Sequence, residues 1–297
     1  MNSRWNRDPR LIGGKPAVAR ITPNDIKLLH LLAKYRYLQS DDIHALLGGS
    51  LPYLTDRLDL LYRKPNQFIN RPAQQRETAN ANYRPMVYEL DAKGATLLRE
   101  HGHISPAKTY HHNFAHELMV CRILASIELG ARKSATKLIE WAEIFEKLPP
   151  ETKELDEPHI IKGYRRPDSK PFGIYNGTYR FFAGIEADCG TEPISTSDLD
   201  RSSIHGKLTA YAEIARLKLY RTQWGLPNFH VPIITTTKTR MESMQRHLEN
   251  LVKAGKISSQ EAKVFIFGTF PSLTSYGPRQ PADGRMFTLL AEKGGGK

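Results

Sequence analysis

Pro167-Asp168 is followed by the apolar run Phe181-Phe182-Ala183-Gly184-Ile185 and then by Glu186-Ala187-Asp188. Clustered carboxylates hold Mg2+ or Mn2+ through hard oxygen ligands. Phosphodiester hydrolysis needs, in addition, a positive group near the charge that develops. Lys207 and Tyr211 come next, four residues apart on a segment of helical periodicity, so they share a helix face. Strand alternation points Glu186 and Asp188 to one face, from which both can reach one metal. Two carboxylates at the end of a buried strand are costly without a partner, which favours a site over a solvated edge.

The elements that would position these groups can be read from the surrounding pattern. Asn176-Gly177 between two β-like runs marks a hairpin, which sets Asp168 and Glu186 on neighbouring strands. A long apolar-faced helix is predicted over 113–130, a strand over 137–145 and a polar insertion over 146–164. After the hairpin come a helix over 203–219, a strand over 229–235, a helix over 241–254 and a strand over 264–270. The run Thr235-Thr236-Thr237-Lys238-Thr239-Arg240 reads as a strand end and helix cap, where Lys238 and Arg240 can touch phosphate. Cys121 reads as a core thiol, and nothing supports Cys189 as a nucleophile.

Upstream, Thr22-Pro23 opens a helix, Ser40-Asp41-Asp42 caps a shorter one, and Gly48-Gly49 ends it. A third helix runs from about Leu51 to Lys64. A short helix, a glycine turn and a longer helix make a helix-turn-helix. Its outward positions include Tyr53, Thr55, Arg57, Arg63 and Lys64, a polar and basic set suited to the major groove. Two β-like runs around a polar tip then form a wing, with Arg71, Arg76 and Arg84 placed to meet phosphates. Asp91 starts a closing helix.

The 297-residue chain is long enough for two domains, and its net charge of +12 points to a polyanionic partner, nucleic acid first. The N-terminal third is the more basic part per residue. No run approaches the roughly 18 apolar residues of a membrane span, and the N-terminus lacks a signal-peptide core. A cytoplasmic protein without a membrane partner is expected.

The segment from about residue 20 to 102, with Tyr88-Glu89-Leu90-Asp91-Ala92-Lys93-Gly94, resembles the winged helix domains of MarR-type regulators. The order that follows it is similar to the PD-(D/E)xK nuclease superfamily. More narrowly, Phe182-Ala183-Gly184-Ile185-Glu186-Ala187-Asp188-Cys189-Gly190-Thr191-Glu192 with Lys207 and Tyr211 resembles the replication-relaxation family of mobile-element proteins. That resemblance implies an α+β or α/β chain: a winged helix-turn-helix followed by a restriction-endonuclease-like mixed sheet flanked by helices. The implied division is a tail over 1–19, a winged helix over 20–102, a linker over 103–112, a nuclease-like domain over 113–273 and a tail over 274–297. It also implies Asp168, Glu186 and Lys207 as catalytic residues supported by Tyr211, with Asp168, Glu186, Asp188 and Glu117 as ligands of Mg2+ or Mn2+. If the site is inactive, no cofactor is implied. In the resembled superfamily the lysine stands two residues after the glutamate, where this chain has Asp188. Three readings stay open. The first is a DNA-binding protein of a mobile element acting in replication, transfer or processing. The second is an active Mg2+-dependent endonuclease or nickase. The third is a transcriptional regulator with a catalytically dead nuclease fold. All three take double-stranded DNA as partner, and a homodimer and replication or transfer proteins are further partners they allow.

Overall fold

The computed structural model describes residues 18–76, 85–102, 113–190, 192–195, 202–270 and 283–293. The chain is a mixture of helices and small sheets, and it divides into two compact units. One is Met1–Ala125 with Gly277–Asp283, the other Ser126–Tyr276 with Gly284–Lys297.

The first unit contains α1 (Pro23–Tyr35), β1 (Leu38–Gln39), α2 (Ser40–Leu47) and α3 (Leu51–Tyr62). It continues with β2 (Ile69–Asn70), a 3-10 turn at Ala73–Arg76, β3 (Val87–Leu90), α4 (Ala92–Glu100) and the first part of α5 (Phe114–Lys133). The start of α1 is fixed by a capping box. The Thr22 hydroxyl accepts the Asp25 amide, and the Asp25 carboxylate accepts the Thr22 amide at 2.6 Å. β1, β3 and β2 form a three-stranded antiparallel sheet, with Leu38 opposite Tyr88 and Ile69 opposite Leu90. Leu28, Leu29 and Leu32 of α1 and Leu58 and Leu61 of α3 are fully buried. Ala19, expected in a tail, is buried, and its amide donates to Asn66 Oδ1 at 2.8 Å. The expected linker at 103–112 lies outside the described residues.

The second unit continues from α5 with β4 (Lys137–Ile139), α6 (Trp141–Glu146) and α7 (Pro150–Lys153). The predicted strand over 137–145 is therefore mostly helix. Past Glu140, Trp141 and Phe145 fall one turn apart with ring centroids 6.3 Å apart, and Ile144 is buried beside them. β5 (Phe172–Tyr175), β6 (Tyr179–Phe182) and β7 (Glu186–Asp188) follow, then α8 (Ile204–Leu217), α9 (Leu219–Trp224) and β8 (Val231–Thr235). The unit ends with α10 (Lys238–Lys253), α11 (Ser259–Ala262), β9 (Phe265–Thr269) and α12 (Arg285–Lys293). The last of these falls within the expected tail over 274–297. Met286, Phe287 and Leu290 of α12 are buried, and the helix closes on Gly130, where any side chain would overlap Phe287.

β4, β5 and β6 pair antiparallel, and β7, β8 and β9 pair parallel. A parallel bridge between Phe182 and His230 joins the two ladders. The His230 amide donates to Phe181 O at 2.8 Å and the Ala183 amide to His230 O at 2.9 Å. β6 and β7 thus lie end to end along one neighbour, with a bend at Gly184 between them. Gly184 has φ 127°, and a Cβ there would overlap the Ser169 carbonyl oxygen. Gly184→Ala is expected to cost about 2–4 kcal/mol, from the strained backbone plus the clash. A urea midpoint equal to that of the wild type would refute this.

Candidate functional site

The hairpin register pairs Phe172 with Phe182. Extended four residues past that pair, it sets Asp168 opposite Glu186. Two hydrogen bonds hold this extension: the Asp168 amide donates to Ile185 O at 3.1 Å, and the Ala187 amide donates to Asp168 Oδ2 at 2.8 Å. The pairing that Asn176-Gly177 predicted is what brings the two carboxyl groups together.

α8 supplies the cation. Its N-cap Ser203 accepts the Gly206 amide, and Lys207 and Tyr211 follow one turn apart on the same face. Glu186 is buried in β7 at 4% exposure. Its Oε1 accepts the Tyr211 hydroxyl at 2.5 Å, and its Oε2 lies 2.9 Å from Lys207 Nζ. The same ammonium lies 3.0 Å from Glu192 Oε2, and the Ser202 hydroxyl donates to the other Glu192 oxygen.

Burial pushes the Glu186 carboxyl up, Lys207 and Tyr211 oppose it, Asp168 adds to it, and the outcome is a pKa of about 6. Burial works against the Lys207 ammonium, but Glu186, Asp168 and Glu192 together outweigh it and raise its pKa. A simple ion pair would lower the glutamate. Here burial is the larger effect and outweighs the Lys207 ammonium, and Asp168 adds to the upward shift. Burial raises the Tyr211 phenol well above its ordinary value, reinforced by Glu186. Tyr211 is therefore a hydrogen-bond donor that orients Glu186.

Asp188 faces a separate set of partners. Thr235 Oγ1 donates to its Oδ2 at 2.7 Å. Arg240 Nε donates to Oδ2 at 3.0 Å, and Arg240 Nη2 lies 3.4 Å from Oδ1. The same Nη2 donates to the Glu192 carbonyl. Asp188, expected as a metal ligand, is thus neutralised by an arginine from α10. Burial, with Asp188 and Asp168 nearby, lifts the Cys189 thiol to about 11, which leaves it an unreactive thiol.

Glu117, the fourth expected ligand, belongs to the first unit, where its Oε2 pairs with Arg36 at 2.5 Å. Among the described residues, no three His, Cys, Asp or Glu side chains form a ready metal cage. Asp168 and Glu186, two carboxyl groups set opposite each other, are oxygen donors of the kind Mg2+ takes. That ion is commonly held by one or two carboxylates together with water and substrate phosphate.

The expected DNA-facing residues separate into two groups. Tyr53 is 64% exposed, and Thr55 and Lys64 are also exposed. Arg63 is half-buried and paired with Asp59 at 2.6 Å. Arg57 instead grips the α1 capping carboxylate, with Nε 2.7 Å from Asp25 Oδ1 and Nη2 2.5 Å from Oδ2. Arg71 lies 4.2 Å over the Tyr62 ring and donates to the Tyr88 hydroxyl at 3.1 Å. These two arginines are occupied inside the first unit, a correction to the places expected for them, Arg57 at the major groove and Arg71 against phosphate. The Arg76 side chain and Arg84 lie outside the described residues.

Glu192, Thr235 and Arg240 complete the site. Glu192 ends the sequence phrase that begins at Phe182, and Arg240 ends the threonine-rich run, so each carried a faint signal. No helix of the described residues is long and apolar enough to cross a membrane. No curated protein and no solved structure matches the chain. The replication-relaxation family model matches residues 29–226, more than half of the chain. The matched span runs through Asp168, Glu186, Glu192 and Lys207, and the chain belongs to the replication-relaxation family.

Proposed function

We propose that this protein binds double-stranded DNA of a mobile element and cuts it in a Mg2+- or Mn2+-dependent step of replication, transfer or processing. The observation that carries the reading is the approach of Lys207 to Glu186 at 2.9 Å, with Asp168 in register opposite. The element order of the first unit supports a winged-helix reading, in which α3 would be the recognition helix and the exposed Tyr53, Thr55 and Lys64 would face DNA. The order of the second, with an antiparallel hairpin, a helix and a parallel strand, agrees with a PD-(D/E)xK core.

Asp168 and Glu186 are the residues that would hold the metal. When bound, it supplies a polarised phosphate and an activated water. Tyr211 fixes the Glu186 carboxylate by hydrogen bonding. Lys207, protonated throughout the working pH range, places a positive charge beside the position of the scissile phosphate. Asp188 at the superfamily's lysine position favours a second reading, in which the nuclease fold only binds DNA.

One assay separates the two. Purified protein with Mg2+ or Mn2+ should nick or linearise supercoiled plasmid, and Asp168→Ala and Glu186→Ala should each bring cutting to background. The absence of cleavage on supercoiled, linear and single-stranded DNA, together with no Mn2+ bound, would leave only the binding reading.

A further inference from the structure

Asp188 and Arg240 are unused by the chemistry above, yet they form its most constrained neighbouring pair. Asp188 is 2% exposed, and Thr235, also buried, fixes its orientation from the next strand. Arg240 meets it edge-on. Nε and Nη2 face the two carboxylate oxygens at 3.0 and 3.4 Å, and Nη2 also reaches the Glu192 carbonyl. The remaining edge, Nη1, makes no hydrogen bond among the described residues, and the side chain is 21% exposed. A guanidinium pinned along one edge with the other edge free is built for an oxyanion, because its planar fork is held in place before the ligand arrives.

We infer that Asp188 and Arg240 form a phosphate clamp that seats the DNA backbone one position from the carboxylate–lysine cluster. The inference rests on the DNA-binding reading above but does not require cleavage. Glu186 and Asp188 are two residues apart on one strand, about 7 Å along it, a distance that one nucleotide of backbone can span. Glu192 ties the two places together, carboxylate to Lys207 and carbonyl to Arg240. Asp188 acts as a positioning residue, and Arg240 contacts the substrate phosphate.

The test uses the full chain, EDTA-treated, with a short fluorescent duplex, and follows affinity by anisotropy between about 50 and 200 mM salt. Each phosphate contact contributes about 0.9 to the slope of log affinity against log salt. Arg240→Gln should lower affinity roughly five- to tenfold and reduce the slope by about one contact. Arg240→Lys is the control for folding, since its ammonium still pairs with Asp188. The clamp requires it to melt like the wild type and still lose the contact, because the lysine has no second edge. Wild-type affinity and slope in Arg240→Lys would overturn the clamp and leave Arg240 a structural partner of Asp188. A wild-type protein that binds this duplex but cuts no plasmid refutes the nuclease reading alone. One that binds no duplex overturns both.

Discussion

Lys207→Met is expected to destabilise the second unit by about 3–5 kcal/mol near pH 8, because it leaves buried carboxylates without their cation. Much of that loss should return on acidification toward about pH 5, as Glu186 takes up a proton. The sign follows from the direction of the shift. In the wild type the folded-state pKa of Glu186, about 6, already lies above its ordinary 4.5. A carboxyl shifted upward costs stability above its folded pKa, and the cost disappears as the pH falls toward the unfolded value. For the wild type that difference is about 2 kcal/mol. Without Lys207 the shift grows, and so does the pH dependence. Lys207 itself adds no slope in this window, because a raised lysine keeps its full contribution at every pH below its ordinary 10.5. Urea unfolding followed by circular dichroism at several pH values measures both effects. A variant as stable as the wild type near pH 8 would refute the charge balance described for the cluster. So would one that loses stability relative to the wild type on acidification.

Asp42→Ala is expected to destabilise the first unit, again by about 3–5 kcal/mol. Asp42 is fully buried, and its Oδ2 accepts Arg122 Nε at 2.8 Å and the Gln39 amide at 3.3 Å. The substitution removes the acceptor of the Gln39 amide at the start of α2 and the carboxylate facing a guanidinium that is 6% exposed. Replacing both partners by apolar residues of similar volume, Asp42→Leu with Arg122→Met, should recover most of the loss, since no buried charge is then left alone. The check is the urea midpoint of the single and double variants. If Asp42→Ala stays within about 1 kcal/mol of the wild type, the pair contributes less than its burial implies.

What the sequence made legible was what local rules govern. The N-cap at Thr22, the hairpin at Asn176-Gly177 and the helix face shared by Lys207 and Tyr211 depend on residues a few positions apart. Those rules bring Asp168, Glu186 and Lys207 together. What they could not reach were partners chosen by tertiary packing. Arg57 looks outward by helix periodicity, but the capping carboxylate of α1, 32 residues away, takes its guanidinium. Asp188 looked like a metal ligand until Arg240, 52 residues on, reached it from another helix. The strand over 137–145 failed because an alternating pattern that short also fits a helix, and the Trp141–Phe145 pair decided it.

The parallel pairing of β7 with β8 also sets an order in time. A ribosome that has reached Trp224 has already made Asp168, Glu186, Glu192 and Lys207. β7 then has no neighbour on its β8 side, because β8 begins at Val231. Thr235 and Arg240, which orient and neutralise Asp188, emerge later still, and α12 closes on Gly130 last. β7 therefore gains its parallel neighbour only once Val231–Thr235 has been made.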